Sequence, residues 1–358
     1  MTKYLILKND ERNKLTKKIE KMVFNIFGDK NPDSDDSLLI KDDNMRTITK
    51  INTALNGFKN KGTAKIYPIY NSFDLHFSNS TIFMAGVILA PQKIKATEEL
   101  QLKHVLTGWW TGYYAYRSLL ADLYLKKWSA NYCLSEHQIR HLSLWMFLSI
   151  AINRVSTNEP FLQWIKNLEN LEYNHIEKYE NEEMDSTYID MPVFQFMRWM
   201  LDFQITGELP KYKIQSKLYQ RVEKYWDDED KLAEVITDIL DHHIILCLRK
   251  RGHKDEHEKY YPNYLFVPMW EYTDIIPLEI LALRRLRLDQ GKSFPDIDHP
   301  LWNDDYTRVF DLAANNFSKV NEEVFELMEE QLTPYLPTDE ELLEYLKTAG
   351  PYVPETDD

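Results

Sequence analysis

The chain has 358 residues, and only 10 are glycine, with no Gly-x-Gly pair, which excludes dinucleotide-binding and kinase-type glycine loops. Hydrophobic residues make up 44% and aromatic residues 13%, a composition that suits large side chains packed between helices. The formal net charge of −14 excludes the basic footprint that direct nucleic-acid binding requires.

The N-terminal third begins with two predicted helices, at residues 10–27 and 44–55, the second ending at Gly57. Residues 63–95 are open to two interpretations. Apolar residues partly alternate between Ile66 and Phe77, which favours a small β or irregular insertion, whereas the later run could be a buried helix.

A long helix is predicted from Glu98, and it is apolar over most of its circumference, which is typical of a central helix. Gly108 and Gly112, four residues apart, would let another helix approach it closely. Further helices are predicted at about 135–154, 159–172, 192–205, 214–226, 229–251, 277–290, 304–331 and 339–348.

The sequence therefore predicts an all-α protein, a multi-helix array of about ten or more helices. The stretch Leu209–Lys213 is the best boundary between an N-terminal helical half, 1–210, and a C-terminal helical half, 211–358. The two halves could equally pack as one continuous α domain. The apolar runs are too short for a signal peptide or a membrane span, and both cysteines lie in apolar surroundings, so we expect a cytoplasmic protein without membrane contact.

Asp238, Asp241 and His242 share one face of the helix predicted at 229–251, and further histidines follow it. This face could bind a metal in a helical oxygenase or hydrolase, but no matching second motif occurs, as di-iron bundles require. We favour the interpretation that these residues form an exposed polar stripe.

Glu136, His137 and His141 offer two histidines at the spacing of one helical turn, without an evident third metal ligand. Ser135 as an N-cap and Glu136 near the positive helix end explain the same residues structurally. No Gly-x-Ser-x-Gly elbow occurs. We therefore predict no catalytic residue, no cofactor and no metal.

Negative charge is concentrated in residues 301–358, which hold 15 acidic and three basic residues, whereas residues 1–60 hold 12 basic and nine acidic ones. Such a surface attracts a basic partner and raises its association rate. The residues that we predict to face a partner are Glu180, Glu182, Glu183, Asp185, Asp227, Asp228, Asp230, Glu322, Glu326, Glu329, Glu330, Glu340 and Glu341.

Residues 260–302 are the most distinctive segment. An aromatic and proline-rich approach leads into Pro277-x-Glu279-Ile-Leu-Ala and then into Asp298-His-Pro-Leu. This arrangement resembles the C-terminal region of bacterial immunity proteins of type VI secretion and other polymorphic toxin systems. The resemblance implies an all-helical, non-enzymatic protein that binds a cognate secreted toxin and occludes its active site.

The leading hypothesis is thus a cytoplasmic immunity protein whose partner is a toxin with a basic surface. Two alternatives remain open from the sequence. One is the metal-dependent enzyme that uses Asp238, Asp241 and His242, and the other is a helical scaffold that binds a protein partner.

Overall fold

The computed structural model describes residues 7–27, 38–89, 97–125, 136–155, 159–167, 192–210, 214, 216–248, 276–302 and 304–348. Every regular element in these ranges is a helix, so the predicted all-α multi-helix array is confirmed. The helices are α1 (Asn9–Phe27), α2 (Leu38–Lys61), α3 (Tyr67–Leu89), α4 (Glu98–Leu125), α5 (Glu136–Ala151), α6 (159–167), α7 (Pro192–Thr206), α8 (Lys217–Lys224), α9 (Glu229–Leu248), α10 (Leu278–Asp289), α11 (Asp304–Asn315), α12 (Glu323–Glu326) and α13 (Asp339–Thr348).

Helix α4 is the centre of the fold, as predicted. It packs along α3 and also contacts α5, α11 and α13. Thr97 caps its N-terminus through a hydrogen bond from Leu100 N at 3.2 Å, and Glu98 and Glu99 complement the positive end of its dipole. Its side chains are buried around nearly the whole circumference, which follows from its apolar sequence.

The two glycines of α4 allow close contacts, as expected. A Cβ on Gly112 would lie 2.2 Å from Cδ1 of Trp145 on α5, so only glycine leaves room for that indole. A Cβ on Gly108 would lie 2.9 Å from Cε of Met84 on α3. Gly112 therefore allows the close approach of α5, and Gly108 allows that of α3.

The β alternative for residues 63–95 is wrong for 67–89, which form α3. The buried residues Ile66, Ile69, Phe73 and Phe77 recur at helical spacing, and Leu75, which suggested alternation, is 47% exposed. Residues 90–95 lie outside the described part.

Helix α2 continues past Gly57 to Lys61, and the next residue, Gly62, has a φ of 69°, the left-handed conformation of a helix cap. The single helix predicted at 304–331 is broken between α11 and α12. The ring of Phe317, in the break, lies 4.8 Å from that of Trp109, and Trp110 Nε1 donates to the Ser318 carbonyl at 3.0 Å. Contacts with the aromatic residues of α4 thus hold residues 317 and 318 in a non-helical conformation.

Helix α12 continues into the π-helix Leu327–Leu332 and the 3₁₀ turn Thr333–Tyr335. Helices from both sides of the predicted boundary touch: α10 packs on α5, α9 on α1, and α11 on α4. The division into halves at residue 210 stays a prediction. No helix of the described ranges has both the length and the apolarity needed to cross a bilayer.

Candidate functional site

The predicted partner-facing residues fall into three groups. Glu180, Glu182, Glu183 and Asp185 lie outside the described residues. Asp227, Asp228 and Asp230 lie at the start of α9, where Lys292 Nζ donates to Asp227 at 2.6 Å and Lys231 Nζ donates to Asp228 at 2.7 Å. Hydrogen bonds from Lys231 lower the pKa of the Asp228 carboxyl. These carboxylates are solvent-facing but mostly already paired.

Two predicted residues of the C-terminal region are half-buried and are hydrogen-bonded within the chain. Glu322 accepts from Thr107 Oγ1 at 3.4 Å, and Glu329, on the π-helix, accepts hydrogen bonds from the Tyr114 hydroxyl and from Lys319. Both carboxylates thereby tie the C-terminal helices to the rest of the fold. They are anchors of this region rather than free contacts for a partner.

The other predicted C-terminal residues are exposed. Glu326 and Glu330 share a face with Glu323, because the three are spaced three and four residues apart. On α13, Glu340 and Glu344 are one turn apart, and the exposed Glu341 forms a capping box with Thr338, at 2.7 Å and 3.2 Å.

We call the five carboxylates Glu323, Glu326, Glu330, Glu340 and Glu344 the acidic C-terminal surface. Within the ranges that the structure describes, none of the five forms an ion pair. Among the described residues, no Lys or Arg therefore neutralises their charge through an ion pair. Because they sit on helices fixed by buried Leu, Val and Phe side chains, the surface is held in place.

The interpretation of Asp241 and His242 as an exposed polar stripe is wrong. Both side chains are buried, as is that of His243. Burial lowers the pKa of His242 to about 3, so its ring is neutral at pH 7. Asp238, at the edge of this group, accepts a hydrogen bond from Arg221 Nη1 at 2.5 Å.

Asp241 lies at the centre of a polar network that joins three distant segments. Arg12 donates from Nε to Oδ1 at 2.6 Å and from Nη2 to Oδ2 at 2.9 Å, and Leu7 N donates to Oδ2 at 3.0 Å. His299 Nε2 lies 3.2 Å from Oδ1. Burial alone would raise the pKa of Asp241, but the hydrogen bonds from His299 and Arg12 lower it.

The tautomer of His299 follows from its two contacts. Leu301 N donates to Nδ1 at 3.1 Å, so this nitrogen carries no proton. The proton of the neutral ring is then on Nε2, which donates it to Asp241. Burial lowers the pKa of His299 and thus agrees with a neutral ring.

The residues that carry the resemblance to immunity proteins are mostly interior. Glu279, in the first turn of α10, is buried, and its Oε1 hydrogen-bonds His243 Nε2. In the irregular segment 295–301, Ile297, His299 and Leu301 are buried whereas Asp296 and Asp298 are exposed. The motif thus fixes α9, α10 and this segment to one another. Residues 260–275 lie outside the described part.

The candidate metal ligands that the structure describes do not converge on one site. The two oxygens of Asp241 are engaged by Arg12, Leu7 and His299, and the histidines after α9 lie outside the described ranges. In the part of the chain that can be assessed, no group of three or more His, Cys, Asp or Glu side chains is arranged to hold a metal. The absence of enzymatic activity stays a prediction.

His141 has a role that the sequence analysis missed. Its Nδ1 lies 3.0 Å from Asp74 Oδ1 and its Nε2 lies 3.0 Å from Ser78 Oγ, which is the connectivity of a Ser-His-Asp triad. The side chains of Glu136 and His137 are not among those described. Once α3 is known to be a helix, Asp74 and Ser78 fall on one face, but nothing local points to His141.

The surroundings of this trio do not suit nucleophilic catalysis. All three residues are buried, and Ser78 lies inside α3, where backbone N–H groups bond the preceding turn and cannot form an oxyanion hole. The Ser78 Oγ also donates a hydrogen bond to the backbone carbonyl oxygen of Asp74 at 3.4 Å. We interpret the trio as a buried hydrogen-bond chain that joins α3 to α5.

Compared with models of known families, with curated proteins and with solved structures, the chain shows no match in any of the three.

Proposed function

We propose that the protein is an immunity protein, which binds a cognate secreted antibacterial toxin through its acidic C-terminal surface and covers the toxin's active site. The observation that carries the proposal is the set of exposed carboxylates on α12, the π-helix and α13, which have no counter-charge among the described residues. Such a surface accelerates the association of a basic partner.

The resemblance of residues 260–302 supports the proposal in a different way. Its described residues, including Glu279 and His299, are largely buried and shape the fold. They would therefore identify the scaffold, while the toxin would be selected by exposed residues elsewhere. This division suits proteins that keep one scaffold and recognise different partners.

Charge alone gives association rate and selectivity, and tight inhibition also needs a buried anchor at the interface. Tyr335 is next to the acidic C-terminal surface in sequence, is 42% exposed, and stacks on Phe58 at 5.4 Å between ring centroids. A large, pre-positioned aromatic side chain of this kind binds at low conformational cost.

The proposal predicts that a toxin domain is encoded next to this chain, and the test is co-expression with that domain, scored by survival and by co-purification. The diagnostic variant is Glu323→Lys/Glu326→Lys/Glu330→Lys. Its matched control reverses three exposed carboxylates on other elements, Glu99→Lys/Glu159→Lys/Glu208→Lys, and so changes the net charge equally.

We expect the first triple variant to slow association with the toxin by about tenfold or more at low salt, and the control to slow it much less. Equal effects would show that only net charge matters and would contradict the assigned surface. Co-purification of a protein that is not a toxin, without protection, would favour the scaffold alternative.

A further inference from the structure

The first half of α1 is held to the fold mainly by polar contacts. Of residues 8–18, only Thr16 is buried, Arg12 and Leu15 are half-buried, and the rest are exposed. The Thr16 hydroxyl has no hydrogen-bond partner among the described residues. Leu7, just before the helix, contributes one buried apolar side chain. The apolar anchorage of these residues is therefore slight.

The polar contacts, by contrast, are concentrated on one atom group. The fully buried carboxylate of Asp241 receives two hydrogen bonds from the Arg12 guanidinium and one from Leu7 N. The planar guanidinium matches the two carboxylate oxygens, as in bidentate Arg–carboxylate pairs. An ammonium group could not reproduce this geometry.

The other side of the carboxylate belongs to the helical body. Asp241 is on α9, and His299 donates to its Oδ1 from the segment after α10. His299 is in turn held by Leu301 N. Removing residues 7–18 would thus leave Asp241 with one hydrogen bond and expose its remaining lone pairs to water, so its charge would be solvated rather than stranded.

We propose that Asp241, held from the helical body by His299, forms a guanidinium-binding site that Arg12 occupies from within the same chain. Residues 7–18 are then a latch that can open while the helical body stays folded. The opened site takes a guanidinium group, either Arg12 again or one supplied from outside. This inference is independent of the proposed toxin binding.

The experiment measures backbone amide hydrogen exchange by mass spectrometry in the full chain at neutral pH. In Arg12→Ala, we expect amides of residues 7–18 to exchange about tenfold or more faster than in the wild type, with those of α4 unchanged. Millimolar guanidinium chloride should restore protection, whereas equal sodium chloride or methylammonium chloride should not.

The matched control is Arg198→Ala, which removes the pair of Arg198 Nε with Asp202 at 3.0 Å on α7. It should leave exchange in residues 7–18 unchanged, with or without guanidinium. If Arg12→Ala does not fold, Arg12→Lys keeps the charge without the planar fork and should show the same local effect, less strongly.

Three outcomes would overturn the proposal. Faster exchange in α4 and residues 7–18 alike would show that the latch does not open separately. Unchanged exchange in Arg12→Ala would show that Arg12 does not hold it. Failure of guanidinium to restore protection would show that Asp241 does not form a guanidinium site.

Discussion

Arg12 and Asp241, which are 229 positions apart in the chain, form a bidentate ion pair at 2.6 and 2.9 Å. The Asp241 side chain is fully buried, and the Arg12 side chain is 11% exposed. Neutralisation of Asp241 is costly because the largely buried guanidinium of Arg12 then loses its counter-charge. The pair therefore offers a direct test of the buried network.

The substitution Asp241→Asn keeps the shape of the side chain but removes its charge. We expect the free energy of unfolding to fall by about 3 kcal/mol, since Arg12 loses its counter-charge and one of the two acceptor oxygens becomes an amide donor. Urea denaturation measures the change. The control Asp202→Asn breaks a more exposed pair with Arg198 and should cost less than about 1 kcal/mol. Equal losses would contradict the central role of Asp241.

Buried histidines predict a stability that falls below neutral pH. Burial lowers the pKa of His76 and of His104 to about 4, and that of His242 to about 3. Between pH 6.5 and 4 these histidines are protonated in the unfolded chain but stay neutral in the folded chain. Their contribution to the free energy of unfolding is therefore present above this pH window and is lost as the pH falls through it.

The expected loss is about 2 kcal/mol for each such histidine between pH 7 and pH 5. The carboxylate of Asp241 does not contribute to the pH dependence of stability in this range. Because its pKa is lowered in the folded chain, the stability that it provides is lost only below about pH 4. Urea denaturation at pH 7 and pH 5 measures the difference. His76→Leu should reduce the pH dependence, and an unchanged pH profile in this variant would contradict the assignment.

The glycines of α4 predict a graded effect of added methyl groups. Gly112→Ala places Cβ against the rigid indole of Trp145 and should destabilise the fold by about 3 kcal/mol. Gly108→Ala meets only the flexible end of Met84, and the better helix propensity of alanine offsets part of that cost. In thermal unfolding, the Tm of Gly112→Ala should therefore be well below that of Gly108→Ala. The reverse order would contradict the packing described.

The chain Asp74–His141–Ser78 is expected to be structural. Ser78→Ala should cost about 1 kcal/mol, the contribution of a buried hydrogen bond. The wild-type protein should not react with a fluorophosphonate probe, because the hydroxyl is buried and lacks oxyanion donors. Labelling that is abolished in Ser78→Ala would instead identify a serine nucleophile, and intact-mass spectrometry distinguishes the two results.

Local periodicity predicted much of the architecture. The range 339–348 coincides with α13, and the starts of α4 and α9 were placed at Glu98 and Glu229, where acidic first turns mark them. The break at Phe317 was missed because its cause is a ring packed on Trp109, far away in the chain. The helical periodicity of the apolar residues continues through this break, so local periodicity does not reveal it.

The polar residues of α9 show the other limit of sequence patterns. Spacing indicated that Asp238, Asp241 and His242 share a face, but it could not tell an exposed face from a buried one. Burial of Asp241 depends on Arg12 and His299, and neither pairing leaves a local trace in the sequence. Excess charge in a short segment correctly indicated exposed carboxylates near the C-terminus, but charge alone did not separate the exposed Glu326, Glu330, Glu340 and Glu341 from the half-buried Glu322 and Glu329.

The all-round burial of α4 also bears on how the protein is made. Trp110 and Tyr114 receive their hydrogen-bond partners from Ser318 and Glu329, more than 200 residues later in the chain. Arg117 likewise donates to the Pro337 carbonyl oxygen. During translation, the aromatic side of α4 therefore stays exposed until α11, α12 and α13 have left the ribosome. A chain truncated before residue 304 would keep this apolar surface exposed and would be prone to aggregate and dependent on chaperones.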